Sequence, residues 1–185
     1  MVSSNDFKNG MTIVYEGRLY KILEFMHVKP GKGGAFVTSK LRDLRTGAIV
    51  DKTFNAGIKI EKAMIDKVTM QYLYDSGDAL VFMDTETYEQ IEIPHALVEN
   101  ERKFLVENMN VDVEKYGEEI LGVILPDKVT LLVTKCDPAV KGDTKTNALK
   151  DAYVETGLLV KVPMFIEEGE KIIISTETGK YSSRA

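Results

Sequence analysis

The sequence predicts an all-β protein built from three small β-barrel domains in an elongated arrangement. Short segments rich in branched and aromatic residues alternate with turns rich in Gly, Asp and Asn along the chain. Only one segment, Pro94 to Asn100, has the pattern of a short helix, with Pro at a permitted first-turn position. The 185 residues, 44% hydrophobic and 29% charged, are enough for one large domain or two to three small ones.

The first domain, residues 1–65, is predicted to be an SH3-like barrel. Its candidate strands are short, turns separate them, and none has a helical period. The candidate strands are 11–15, 19–25, 35–41 and 49–54.

The second and third domains, residues 66–127 and 128–185, are predicted to be five-strand barrels of the OB type, although periodicity alone does not separate OB barrels from other small barrels. Turns rich in Asp, Ser, Thr and Gly separate the candidate strands of the second domain, and Pro126 with Asp127 marks its end. In the third domain, a polar stretch from Asp137 to Asp151 separates the first candidate strand from the next. The candidate strands are 68–73, 79–83, 88–93, 118–124, 128–134, 158–162 and 171–175.

Charge is segregated along the chain. Residues 1–65 carry 11 basic and 6 acidic side chains, a net charge of +5. Residues 66–127 carry 4 and 15, a net charge of −11, and residues 128–185 carry 9 and 8. A basic first domain suits polyanionic RNA, while the acidic middle either meets a cationic partner or keeps the protein soluble.

Several classes of function are excluded or disfavoured by composition. The apolar runs are too short to cross a bilayer, and the N-terminus lacks the layout of a secretory signal, so we expect a cytoplasmic protein. Cys136 is the only cysteine, which excludes an internal disulfide and a cysteine zinc site. His27 and His95 are the only histidines. We therefore expect no metal, no cofactor and no catalytic residues.

The loop from Lys29 to Gly34 is the most informative segment. Pro30 restricts φ, while Gly31, Gly33 and Gly34 permit turn conformations that other residues avoid. No apolar residue anchors the stretch, so we expect Lys32 at an exposed hairpin tip, where a modifying enzyme can reach it. A phosphate-binding P-loop does not fit, because the spacing is incomplete and no helix follows.

These residues resemble the first domain of bacterial translation elongation factor P. The resemblance lies in 29–36 (KPGKGGAF), 39–41 (SKL) and 44–47 (LRTG). A second match, in residues 150–169, resembles the C-terminal pattern of the same family. The two matches lie more than 100 residues apart and in the correct order.

The resemblance implies a KOW/SH3-like domain followed by two OB-fold domains, and a factor that binds the ribosome between the P and E sites. Such a factor is expected to be a monomer without enzyme activity that positions the acceptor end of the P-site tRNA and stimulates peptide bond formation at consecutive prolines. Lys32 matches the lysine that a modifying enzyme extends in many members. Gly142, Asp143 and Thr144 resemble a loop that approaches the E-site codon, although Lys145-Thr146-Asn147 departs from the small residues expected next.

Other cations in the first domain are candidates for phosphate contacts, which position RNA without reading its sequence. They are Lys21, Lys29, Lys40, Arg42 and Arg45.

Two other functions remain as alternatives. A swinging-arm carrier also displays a modified lysine on a hairpin, but its lysine lies within Asp-Lys-Ala or Met-Lys-Met in one small domain. A general RNA-binding OB protein needs aromatic residues on a basic groove, and the second domain is strongly acidic.

Overall fold

The computed structural model describes residues 1–139 and 148–185, and in these residues the fold is all-β, as predicted. The strands form three sheets, one for each of the three predicted segments. The domain boundaries at 65/66 and 127/128 remain predictions.

The first sheet has six strands in the order β1-β6-β2-β3-β4-β5. Its strands are β1 (Val2–Ser3), β2 (Thr12–Tyr15), β3 (Arg18–Val28), β4 (Phe36–Asp43), β5 (Ile49–Asn55) and β6 (Lys59–Lys62). The core closes around Phe54, whose ring meets Phe7 and Tyr15 edge-on at 5.5 and 5.1 Å. Because Tyr15 lies on β2 and Phe54 on the edge strand β5, the sheet curls around one apolar core.

The second sheet has the order β11-β10-β7-β8-β9. Its strands are β7 (Asp66–Asp75), β8 (Ala79–Asp84), β9 (Gln90–Pro94), β10 (Asn110–Tyr116) and β11 (Glu119–Ile124). The predicted helix at 94–100 was wrong. Pro94 ends β9, and two separate 3-10 turns follow at His95–Leu97 and Glu101–Phe104.

The third sheet has the order β14-β13-β12-β15-β16. Its strands are β12 (Lys128–Cys136), β13 (Leu149–Val154), β14 (Leu159–Pro163), β15 (Lys171–Ser175) and β16 (Tyr181–Arg184). The side chains of Leu131, Ile166 and Ile172 are fully buried in its core. Phe104, from the 3-10 turn before β10, is 3% exposed and belongs to the same core.

The described chain divides into two compact units. One comprises residues 1–66 with 115–121, and the other comprises 67–114 with 122–185. In the second unit, Thr156 donates a hydrogen bond from Oγ1 to the carbonyl oxygen of Lys103 at 2.5 Å. This contact and the burial of Phe104 join the second and third sheets within that unit.

Candidate functional site

A long hairpin of β3 and β4 forms the base of the candidate site. The two strands pair antiparallel from Tyr20 opposite Asp43 to Val28 opposite Phe36, with an irregularity in register between Ile22 and Glu24. Alternate residues of both strands point inward, and Ile22, Val37 and Leu41 have no exposed surface. Core packing therefore holds the hairpin up to the point where its loop begins.

The loop comprises the seven residues between β3 and β4, 29–35. Residues 29–34 are all exposed. Lys32 makes no hydrogen bond or ion pair within the described part of the chain, and its amine is open to solvent. The structure thus places Lys32 where the sequence predicted, at an exposed tip.

Glycine is required at one position of this loop by its backbone. Gly33 has φ of +103°, which L-residues rarely adopt. A Cβ added at Gly31, Gly33 or Gly34 would meet no atom within 4 Å. Sterically the tip is open on all sides, so only the conformation of Gly33 restricts substitution there.

The exposed face of β3 and β4 carries three of the candidate cations. Lys21 lies opposite Arg42, and both are exposed with no partner among the described residues. Lys40 lies 3.6 Å from Glu24, in a pair that is largely exposed and therefore weak. Two like charges at directly opposed positions repel each other, so Lys21 and Arg42 form the most favourable place on this face for an external anion.

Arg45 differs from the other candidates because its guanidinium is already paired. Its Nε and Nη2 donate to the two carboxylate oxygens of Glu119 at 2.8 and 2.9 Å, and its Nη1 donates to the carbonyl oxygen of Gly17 at 3.2 Å. The hydrogen bond with Glu119 raises the pKa of Arg45, and the same bond lowers the pKa of Glu119. A phosphate would have to compete with the Glu119 carboxylate for Arg45. The sequence did not reveal this pairing because the two residues are 74 positions apart.

Asp43 organises the turn that carries Arg45. Its carboxylate accepts hydrogen bonds from the backbone N–H groups of Arg45 at 2.8 Å and Thr46 at 3.1 Å, and Arg18 lies 3.3 Å away. Burial alone raises the pKa of Asp43, but these backbone bonds and the Arg18 guanidinium together hold the pKa below its usual range.

The second unit contains a side-chain network that the sequence analysis missed. His95 Nε2 lies 2.8 Å from Asp75, and Arg102 contacts both, at 3.0 Å to His95 Nδ1 and 3.3 Å to Asp75. The backbone N–H of Gly77 also donates to Asp75, and this bond, followed by the His95 contact, lowers the pKa of Asp75. These contacts give His95 a structural role.

Some predicted residues lie outside the described part of the chain. Gly142, Asp143 and Thr144, predicted to approach the E-site codon, are among them, as are Lys145 to Asn147.

Residues 1–139 and 148–185 bring no three His, Cys, Asp or Glu together as a metal site. In the same residues no helix is long and apolar enough to cross a membrane.

Comparison with known proteins assigns each sheet to a domain of one family. Residues 3–60 match the elongation factor P KOW-like domain, residues 65–123 the elongation factor P OB domain, and residues 129–184 the elongation factor P C-terminal domain. The three matches correspond to the three sheets in turn.

Relatives agree over the full length. The chain is 56% identical to elongation factor P of Phytoplasma australiense and 55% identical to that of Onion yellows phytoplasma (strain OY-M). Each alignment covers 100% of this chain and 98% of the relative. Among solved structures, eukaryotic translation initiation factor 5A from Methanococcus jannaschii is similar, with 25% identity and a TM-score of 0.53 over 68% of this chain and 90% of that one. The chain therefore belongs to the elongation factor P family of translation elongation factors.

Proposed function

We propose that this factor binds the ribosome between the P and E sites and positions the acceptor end of the P-site tRNA during peptide bond formation at consecutive prolines. The proposed role places it in the cytoplasm, with the ribosome and P-site tRNA as partners. A contact with the E-site codon through Gly142, Asp143 and Thr144 is proposed from sequence resemblance alone.

The observation that carries this proposal is the placement of Lys32. Its side chain is a long cationic arm, exposed at the tip of a hairpin whose strands are anchored in a core. Glycines on both sides add no bulk, so the arm can enter a narrow cavity. An ammonium group in that position suits a phosphate or ribose oxygen of a tRNA end.

Positioning alone can accelerate the reaction. The proline ring restricts both the nucleophile and the nascent chain, so the reacting groups seldom align. Good alignment contributes roughly 7–11 kcal/mol in favourable intramolecular reactions. A factor that steadies the tRNA end needs to supply only a fraction of that, and it does so without a chemical step of its own.

Covalent extension of Lys32 by a modifying enzyme would lengthen the arm. The exposure of residues 29–34 leaves the amine accessible to such an enzyme. Intact-protein mass spectrometry of the chain from its native source tests this: an adduct that peptide mapping assigns to Lys32 supports modification, and an unmodified mass contradicts it.

Reconstituted translation of a reporter with three consecutive prolines tests the proposed function. We expect Lys32→Ala to fold normally and to lose the stimulation. Lys59→Ala is the matched control, because Lys59 is also an exposed lysine of the first sheet and makes no ion pair with a described residue. Full stimulation by Lys32→Ala would contradict a role for Lys32, and failure of the unsubstituted factor to stimulate the reporter would contradict the proposed function.

A further inference from the structure

A cavity of about 450 Å³ lies at the root of the hairpin that carries Lys32. Its apolar wall is formed by Val28, Ala35, Phe36 and Ala56. Val28 pairs with Phe36 as the last step of the β3–β4 ladder, and the Ala56 N–H donates to the Ala35 carbonyl oxygen at 3.0 Å. Backbone pairing on two sides therefore shapes the cavity, which does not depend on the conformation of the loop tip.

The rim of the cavity is polar and has unused hydrogen-bonding groups. It is formed by Asn5, His27 and Lys29. The side-chain amide of Asn5 and both ring nitrogens of His27 make no hydrogen bond to any described residue. The His27 ring meets the Phe25 ring edge-on, with 5.6 Å between the ring centroids. The rim thus offers donors and acceptors beside an apolar wall.

The electrostatic surroundings favour an anionic ligand. Residues 25–42 contain four cations, Lys29, Lys32, Lys40 and Arg42, and no Asp or Glu. No acidic side chain lines the described wall or rim of the cavity. Lys29 lies on the rim, and Lys32 follows three residues later at the tip.

We propose that this cavity holds one unpaired base of a single-stranded RNA end, with Lys29 at the adjoining phosphate. A nucleotide has the three properties that the cavity matches: a flat apolar face for Phe36, a polar edge for Asn5 and His27, and a negative charge for Lys29. A free phosphate would not use the apolar wall, and an apolar peptide side chain would not use the cation. This inference rests on the proposed function, since it assigns a subsite for the tRNA end that Lys32 approaches.

A base bound at the root of the hairpin would fix the position of the RNA end relative to the Lys32 side chain. The cavity and the Lys32 arm would then contact the same RNA end at two places. Two contacts restrict the rotation of that end more than one contact does. The cavity would therefore contribute to positioning even when Lys32 is unmodified.

An NMR titration with the trinucleotide 5′-CCA-3′ tests the inference, with an abasic analogue of the same charge as comparison. We expect CCA to shift the amide signals of His27, Val28 and Ala56, and the abasic analogue to leave them unchanged. Ala56→Leu fills the cavity and should weaken CCA binding about tenfold, the size of effect expected for loss of a base contact. Ala48→Leu, an equal change at an exposed turn position, should leave CCA binding unchanged.

Two NMR outcomes overturn the inference. Equal shifts with CCA and the abasic analogue would mean that only the phosphates bind, and no shifts at these amides would mean that the cavity takes no base. A perturbed spectrum of Ala56→Leu would leave the comparison between CCA and the abasic analogue as the deciding test.

The polyproline reporter separates this inference from the proposed function. Full stimulation by Ala56→Leu would overturn the cavity assignment and leave the proposed function standing. If the unsubstituted factor gave no stimulation, the proposed function would fail, while the NMR comparison would still decide whether the cavity binds a base.

Discussion

Replacing Gly33 with alanine tests whether the conformation of the loop matters for positioning Lys32. Gly33 has φ of +103°, and an added Cβ would meet no atom within 4 Å. The substitution therefore introduces backbone strain without a steric clash. Gly34 has the same open surroundings but no φ in the region unfavourable to other residues, so Gly34→Ala is a matched control.

The strain gives the expected magnitude. A non-glycine residue held in a sparsely populated backbone region costs about 1–3 kcal/mol. Because the loop is exposed, it would relax to another conformation rather than unfold the domain. The population of the present conformation would then fall about 5- to 150-fold, and the apparent affinity would fall by the same factor.

A titration of each variant in the polyproline reporter measures this effect. The concentration of Gly33→Ala needed for half-maximal stimulation should rise at least about fivefold, while Gly34→Ala should match the unsubstituted factor. Thermal unfolding of the variants should be nearly unchanged. Equal half-maximal concentrations for the two variants would refute the claim that the Gly33 conformation positions the arm.

Three further predictions concern charge and packing. Asp43→Asn should reduce the free energy of unfolding by about 1–3 kcal/mol at pH 7. The folded-state pKa of Asp43 is lowered, so this loss of unfolding free energy should be fully present above the ordinary aspartate pKa of about 3.9. The loss should vanish as the pH falls through the folded-state pKa. Urea unfolding at several pH values measures it. The double variant Lys21→Gln, Arg42→Gln should reduce the slope of log affinity for ribosomes against log salt concentration by about 1.5. The control Lys59→Gln should leave that slope unchanged. An unchanged slope for the double variant would exclude Lys21 and Arg42 as phosphate contacts. Phe104→Ala should destabilise the second unit by about 3–5 kcal/mol in the same urea assay, since the ring is 3% exposed in the core of the third sheet, and a loss below about 1 kcal/mol would contradict that packing.

Most strands were predictable from the sequence, including β9, in which polar and apolar residues alternate, but β10 and β13 were missed. β10, Asn110–Tyr116, was missed because its exposed positions are charged or polar, although Val111 and Val113 point inward. β13, Leu149–Val154, was also missed. One reason is that Lys150 occupies an inward position, where it is 7% exposed. A lysine can bury its aliphatic stem along a core while its amine reaches solvent, so composition alone hides such a strand.

The candidate site shows a similar division. The exposure of Lys32 follows from local sequence, because the loop has glycine, proline and lysine but nothing that can anchor in a core. The pairing of Arg45 with Glu119 and the meeting of Asn5, His27 and Ala56 at one cavity depend on which strands become neighbours. These contacts join residues far apart in the chain, and no local pattern in the sequence encodes them.

The most direct test of the central claim is an electron cryomicroscopy map of this factor bound to a ribosome stalled at consecutive prolines. The proposed function predicts the factor between the P and E sites, with continuous density for residues 29–34 and the Lys32 amine against the 3′ end of the P-site tRNA. A map in which the factor occupies another place, or in which the hairpin points away from that end, would contradict it.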